Sequence, residues 1–460
     1  MIVGTANFNG TVAILGLARS GLSAARALMA GGNQVAAWDD SRERREEAAR
    51  AGIPLQSGAN FPWRDIAALV PSPGIPLDHP IIASAHAAGI EVLGDVELLW
   101  RAMPERQFVG ITGTNGKSTT TALIGHILEC ARQTVQVGGN LGTPALSLEA
   151  LWAEGTYVLE MSSFQLDLTQ HMSFDIAVLL NITPDHLDRH GDMAAYTAAK
   201  QKIFRSGRLK TAIVGIDGPD TLRIYNDLRQ REGLNVVPIA TGRRLLDGIA
   251  ANGGLLEDHG QAVYDLEAAM ALPGRHNWQN AAAAYAATRA LGIDPEIIAR
   301  ALLSFPGLAH RMEHIAAIDG VQFVNDSKAT NGDAAARALA CYSPIYWIAG
   351  GRNKSNGLKA LQSSFRRIAH AFLIGEAEQT FADELEGRVN FSRCGTLSNA
   401  LDAAAAQACA DGRPGAVVLF SPACASFDQF ADFEARGESF REMVLNLERR
   451  HAEQARRHCA

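Results

Sequence analysis

The stretch Phe108-Val-Gly-Ile-Thr-Gly113-Thr-Asn-Gly116-Lys-Ser-Thr119 decides the fold. Apolar residues at strand length end in glycines, and a helical pattern follows directly. Glycines let a backbone wrap a phosphate chain, and a helix start offers it unpaired N–H groups. Gly113, Thr114, Asn115 and Gly116 form the wrap. Lys117 then neutralises the outer phosphates, and the hydroxyl of Ser118 or Thr119 is a ligand for Mg²⁺. The general pattern has glycine five residues before Gly116; this chain has Ile111 there, with Gly110 and Gly113 on either side. The flanking strand and helix outweigh that departure. By itself the loop predicts bound ATP or GTP on a parallel α/β sheet.

Upstream, Thr11–Gly16 reads as a strand, Ser20–Ala30 as a helix and Gln34–Trp38 as a second strand ending in Asp39-Asp40. Leu69–Gly74 reads as a strand entering a Pro/Gly turn, the usual ligand-facing end. Downstream of the loop the strand candidates are Val135–Val137, Tyr157–Glu160, Ile176–Ile182 and Ala212–Val214. After Phe305-Pro-Gly307, a natural hinge, come Ile345–Ile348, Ala371–Ile374 and Val417–Phe420, with an alanine-rich helix over Asn399–Ala410. A helix over Phe440–Arg457 is predicted to dock by Phe440, Val444 and Leu447. Alternating strands and helices predict an α/β protein. Three domains are expected: a Rossmann-like N-terminal domain (1–97), a central sheet of the P-loop ATPase type (98–307) and a Rossmann-like C-terminal domain (308–460).

Bulk properties narrow the function. A net charge of −7 across 460 residues argues against a nucleic-acid grip, which needs a basic face. No apolar run reaches the roughly 18 residues of a membrane span. The first ten residues lack the basic-then-apolar pattern of a signal peptide. The six cysteines (Cys130, Cys341, Cys394, Cys409, Cys424, Cys459) are scattered, which suits reduced thiols and a cytoplasmic location.

Further residues gather chemistry at strand ends. Glu160 closes an apolar strand beside the phosphate loop, a good place for a carboxylate that holds Mg²⁺. Asn181-Ile-Thr-Pro-Asp-His-Leu-Asp-Arg-His190 puts Asp185, His186 and Asp188 into one turn stiffened by Pro184. Asn277 and Asn280 precede a helix over Ala281–Leu291, where they either bond a flat polar ring or cap the helix. Arg311 and Lys328 are cations able to reach over phosphates from a closing domain. Asp326 suits a ribose hydroxyl or a metal-bound water. Taken singly, a surface ion pair accounts for each of these three. Lys200, in Tyr196-Thr-Ala-Ala-Lys200, reads from its neighbours as a surface helical lysine.

The shortened loop Gly-Thr-Asn-Gly-Lys-Ser-Thr resembles that of the Mur ligases and their folylpolyglutamate synthetase relatives. Matching motifs run in order from Gly16 to Gly437, essentially the whole chain. Asn325-Asp-Ser-Lys-Ala-Thr-Asn331 and Ser421-Pro-Ala-Cys-Ala-Ser426 through Phe433 to Gly437 resemble the branch that adds D-glutamate to UDP-N-acetylmuramoyl-L-alanine. The resemblance implies ATP and Mg²⁺ at two sites, with Ser118, Glu160, His186 and a carbamylated Lys200 as metal ligands. It places Asn277 and Asn280 at the adenine side and Thr330, Lys354, Ser426 and Phe433 around the incoming amino acid. Asn353 and Ser355 flank Lys354 where relatives more often have Asp and Gly. Gly16-Leu-Ala-Arg-Ser-Gly21 is a dinucleotide fingerprint with Ala18 for its middle glycine, a weak NAD signal. The family uses this turn, with Arg19, Ser20, Ser72, Pro73, Gly74 and Asn140, for a UDP-sugar. The implied protein is a monomer that binds neither nucleic acid nor membrane.

Overall fold

The computed structural model describes residues 2, 8–56, 61–140, 142–152, 154–269, 271–353 and 357–458. The expected residue Lys354 lies outside them. The chain forms two compact units, Met1–Ala268 with Arg275–Leu303, and Ala269–Gly274 with Ser304–Ala460.

The first unit holds two sheets. Strands β1 (Thr11–Leu15), β2 (Val35–Trp38), β3 (Ile66–Pro71) and β4 (Glu91–Val92) pair in the order β2-β1-β3-β4, all parallel. The second sheet comprises β5 (Gln107–Thr112), β6 (Val135–Gly139), β7 (Thr156–Glu160), β8 (Ile176–Leu179), β9 (Thr211–Gly215), β10 (Asn235–Thr241), β11 (Ile249–Asn252), β12 (Leu255–Asp258) and β13 (Gln261–Asp265). Its order is β13-β12-β11-β10-β9-β8-β5-β7-β6. The sheet is parallel from β11 to β6, as expected, and β11, β12 and β13 add an antiparallel edge to it. Gly253 and Gly254, both at positive φ, turn the hairpin between β11 and β12.

The order places β5 between β7 and β8. Its C-terminal end thus has two parallel neighbours, and three strand ends deliver Thr112, Glu160 and Leu179 to one edge. Phe108, Val109 and Ile111 are fully buried, because a central parallel strand is covered on both faces. A single apolar cluster runs through both sheets of this unit, from Ile14 and Val70 to Tyr157, Leu179 and Val214.

The second unit is a six-stranded sheet of β14 (Glu313–Ile318), β15 (Val321–Asn325), β16 (Ile345–Gly350), β17 (Ile368–Ile374), β18 (Phe391–Gly395) and β19 (Val417–Phe420). The order is β14-β15-β19-β16-β17-β18, antiparallel only between β14 and β15. Side chains alternate between two cores: Ile345, Trp347 and Ala349 enter one, Tyr346 and Ile348 the other. The last helix spans Phe433–His458, starting seven residues before the expected Phe440, and Phe440 and Val444 dock it as predicted. The helix expected from Ala281 begins at Arg275, so Asn277 and Asn280 lie inside it and Asn280 cannot cap its start.

Candidate active site

The phosphate loop is built by φ values that favour glycine. Gly113 sits at φ 152° and Gly116 at φ 85°, and the helix Lys117–Cys130 follows at once. A Cβ on Gly116 would collide with Asn280 Oδ1, so the asparagine lies directly against the loop. Asn280 Nδ2 donates to Asn277 Oδ1 at 3.1 Å, which joins the two predicted residues. Lys117 Nζ donates to the carbonyls of Gly113 and Thr114, each at 3.0 Å. The loop's outer side is held by the strand-end residue Asn181. Its Oδ1 accepts from Asn115 N at 2.9 Å, and its Nδ2 donates to Asn115 O at 3.2 Å and to Gln279 Oε1 at 2.8 Å.

Glu160 ends β7 beside this loop, at 2 % exposure. Its Oε1 accepts from Asn140 Nδ2 at 2.7 Å. Its Oε2 is buried with no hydrogen-bond partner among the described residues. A buried carboxylate oxygen left without a donor is costly, and a bound cation removes that cost. Lys200 is also 2 % exposed, which corrects the surface reading given by its neighbours in sequence. Its Nζ donates to Gly113 O at 2.9 Å and lies 4.6 Å from the Tyr196 ring centroid. Burial, reinforced by the nearby Lys117 charge, drives its pKa down to about 7, while Asp185 and Glu160 oppose the shift. About half of the Lys200 side chains are thus neutral amines near pH 7.

His186 takes φ 53° as it caps the short helix Leu187–His190. Its side chain is half exposed, 3.6 Å from Asp185 Oδ2, and its ring lies 5.0 Å from that of Phe164. Tyr196 OH is 3.2 Å from Thr114 Oγ1, tying the helix that carries Lys200 to the loop. Ser118 and Thr119 are buried at the start of the loop's helix. Among the described residues, no three His, Cys, Asp or Glu side chains form a metal cage.

A cavity of about 640 Å³ opens at the ends of the first sheet and of β6. All six predicted residues on this side, Arg19, Ser20, Ser72, Pro73, Gly74 and Asn140, line it, and Gln165 joins them. The glycine turn is closed by Asp39, whose Oδ2 accepts from Leu17 N at 2.6 Å and Oδ1 from Ser41 N at 2.8 Å. Gly16 lies at φ 88°, with Ser72 Oγ donating to its carbonyl at 3.0 Å. Arg19 Nη2 donates to Gly142 O at 2.7 Å, so both sheets contribute to the wall.

In the second unit, Asp326 is buried, with Oδ1 accepting from Met312 N at 3.2 Å and Oδ2 from Ser421 Oγ at 2.7 Å. Burial raises its pKa to about 7. Lys328 Nζ lies 5.3 Å from the Phe433 ring, which unites two predicted residues. Buried Arg436 donates to Ser327 Oγ (3.0 Å), Ser327 O (2.8 Å) and Cys424 O (3.1 Å). It thereby fastens the loop of Lys328 and Thr330 to the buried segment that ends in Ser426. Arg311 closes the turn before β14 by bridging back to Leu308, with Met312 beside it bonded to Asp326.

Three family models match in sequence order: the N-terminal domain of MurD-like Mur ligases over residues 10–94, the Mur ligase middle domain over 111–288, and the Mur ligase glutamate ligase domain over 310–424. A UDP-N-acetylmuramoylalanine–D-glutamate ligase of Rhodospirillum rubrum is 53 % identical over 448 residues, covering 94 % of each chain. The chain belongs to the Mur ligase family. A second relative of the same name, from Phenylobacterium zucineum, is 51 % identical over 95 % of this Mur ligase and 96 % of its own length. The fold also matches the UDP-N-acetylmuramate–alanine ligase of Thermotoga maritima (TM-score 0.57, 18 % identity, 95 % and 99 % of the two chains).

Several residues of this Mur ligase site carried no signal in their spacing. Asn181 and Gln279 were visible only as parts of longer motifs, yet they clasp the loop from two other elements. Gln165 reads as helix-start chemistry, because its side chain completes a capping box with Ser162. Arg436 was visible only as part of the terminal block that ends at Gly437. Its role exists only where the last helix packs on the strand ends.

Proposed function

We propose that this Mur ligase joins D-glutamate to UDP-N-acetylmuramoyl-L-alanine, with ATP as the energy source, in peptidoglycan precursor synthesis. Making an amide from a carboxylate needs activation. The γ-phosphoryl group passes to the alanyl carboxylate, giving an acyl phosphate and ADP. The amine of D-glutamate attacks the acyl carbon, phosphate leaves, and the amine proton is released. Identity near 50 % with ligases of that name over nearly the whole chain supports the reading. The unpartnered Glu160 oxygen beside the phosphate loop is the local observation that carries its metal-nucleotide part.

Mur ligases depend on ATP and Mg²⁺. Ser118, Glu160, His186 and Lys200 are the groups we assign to the metal, which supplies charge neutralisation where two anions must meet. Lys200 fits a carbamate: its lowered pKa provides the neutral amine that CO₂ requires, and the anion formed would suit a second Mg²⁺. Lys117 with Gly113, Thr114, Asn115, Gly116 and Thr119 cradles the phosphates, and Asn277 and Asn280 face the nucleotide beyond the loop. The cavity lined by Arg19, Ser20, Ser72, Pro73, Gly74 and Asn140 takes the UDP-sugar. Asp39, already bonded to Leu17 and Ser41, is committed to the turn, which disfavours the NAD reading of this fold element. Arg311, Asp326 and Lys328 are assigned to the phosphate and nucleotide side, and Thr330, Lys354, Ser426 and Phe433 to the amino acid. The functional domain limits we propose are 1–97, 98–307 and 308–460. Among the described residues, no helix is long and apolar enough to cross a membrane.

The test is phosphate release by purified protein with ATP, Mg²⁺ and UDP-N-acetylmuramoyl-L-alanine, with each candidate amino acid in turn. Turnover should require D-glutamate. Equal turnover with L-lysine or diaminopimelate would overturn the assignment.

A further inference from the structure

We infer that Arg189 is a positioning residue that locks the rim of the sugar-nucleotide cavity to the His186–Lys200 site. The inference rests on the proposed reaction and adds a residue to it. Arg189 lies on the short helix Leu187–His190, three residues after His186. Its guanidinium donates Nη2 to Pro73 O at 3.3 Å and Nη1 to Gly74 O at 3.2 Å. These carbonyls are consecutive, belong to the turn that follows β3 of the other sheet, and their residues line the cavity. A planar fork on two successive carbonyls fixes direction as well as distance, which a lysine cannot do.

The flat face of the group is also engaged. The guanidinium carbon lies 4.5 Å from the centroid of Phe164. That ring is 5.0 Å from His186 and 5.6 Å from His190. The two imidazoles lie 6.4 and 5.3 Å from Tyr196, which carries Lys200 Nζ on its face and reaches Thr114 through its hydroxyl. An unbroken series of contacts thus runs from the cavity rim to the phosphate loop. The alanyl carboxylate of a ligand held at the rim must meet the phosphoryl group within near-attack distance, so a shift of the rim against His186 and Lys200 is felt as lost rate.

The test compares wild type with Arg189→Met, Arg189→Lys and Phe164→Leu. Active sites are counted by binding of a non-hydrolysable ATP analogue, and UDP-N-acetylmuramoyl-L-alanine binding is measured by calorimetry in the same preparations. In Arg189→Met, kcat/KM for the sugar nucleotide per active site should fall about 10- to 100-fold, with the KM for ATP within about twofold. Arg189→Lys should recover part of the loss, and Phe164→Leu should show a smaller loss of the same kind. An unchanged kcat/KM per active site, whether or not the melting temperature falls, overturns the inference, as does an equal loss toward ATP. Wild-type protein that binds the sugar nucleotide yet forms no product overturns the proposed reaction instead. The calorimetric comparison then decides Arg189, with about tenfold weaker binding expected in Arg189→Met.

Discussion

Lys200 offers a prediction whose size follows from its surroundings. Its amine is buried against Gly113 O and close to Lys117, and its pKa falls from 10.5 to about 7. At pH 7 about half of the molecules then carry a neutral amine, against about one in 3,000 for a lysine at 10.5. Only the neutral form adds CO₂. With dissolved CO₂ fixed, the initial rate of carbamate formation should rise about tenfold from pH 6 to pH 8 and then level off, whereas an unshifted lysine would rise about a hundredfold and keep rising. The assay strips CO₂ from the purified protein, adds ¹³C-labelled CO₂ and follows the carbamate carbon by NMR. Turnover is recorded in parallel. Lys200→Ala should lose most activity, partly restored by short carboxylates that replace the carbamate. A rate that climbs tenfold per pH unit through pH 9 would refute the burial argument. Full activity of Lys200→Ala at low CO₂ would remove the carbamate.

Other expectations follow from single contacts. Glu160→Gln should cut Mg²⁺-dependent turnover by about 10²-fold or more while leaving the melting temperature of the ligand-free protein nearly unchanged, since among the described residues nothing bonds Oε2 and Oε1 can keep its bond from Asn140; a large loss of stability would contradict an unpartnered Oε2. Gly116→Ala should cost about 1–3 kcal/mol and weaken ATP, because φ 85° and the Asn280 contact both resist a methyl group, as denaturant titration and ATP KM would show. Asp326 has its pKa raised from 3.8 to about 7, so the folded state binds more protons between those values. Its contribution is present below pH 3.8 and is lost as pH rises through 7, so Asp326→Asn should be relatively more stable than wild type at pH 8 than at pH 4. Melting temperatures across that range check the sign.

Local patterns in the sequence determined much of this protein. Strand, glycine loop and helix at Phe108–Thr119 depend on neighbours in the chain, so the phosphate site and the parallel α/β class could be read directly. The predicted cavity residues from Arg19 to Asn140 do line one cavity, because each follows closely on the C-terminal end of a strand and parallel sheets gather such ends along one edge. The antiparallel hairpin of β12 and β13 was missed because its short, partly exposed strands lack a strong apolar run.

Tertiary structure alone decided the electrostatics. Lys200 follows three small or polar residues and looks solvated in sequence, yet packing against Tyr196 and the loop buries it and shifts its charge. The clasp of Asn181 on Asn115 and the fork of Arg189 on Pro73 and Gly74 join residues 66 and more than 100 positions apart. Periodicity and spacing report which face of an element is apolar. They carry no information on which polar groups from distant elements meet, and burial and hydrogen bonding are set only there.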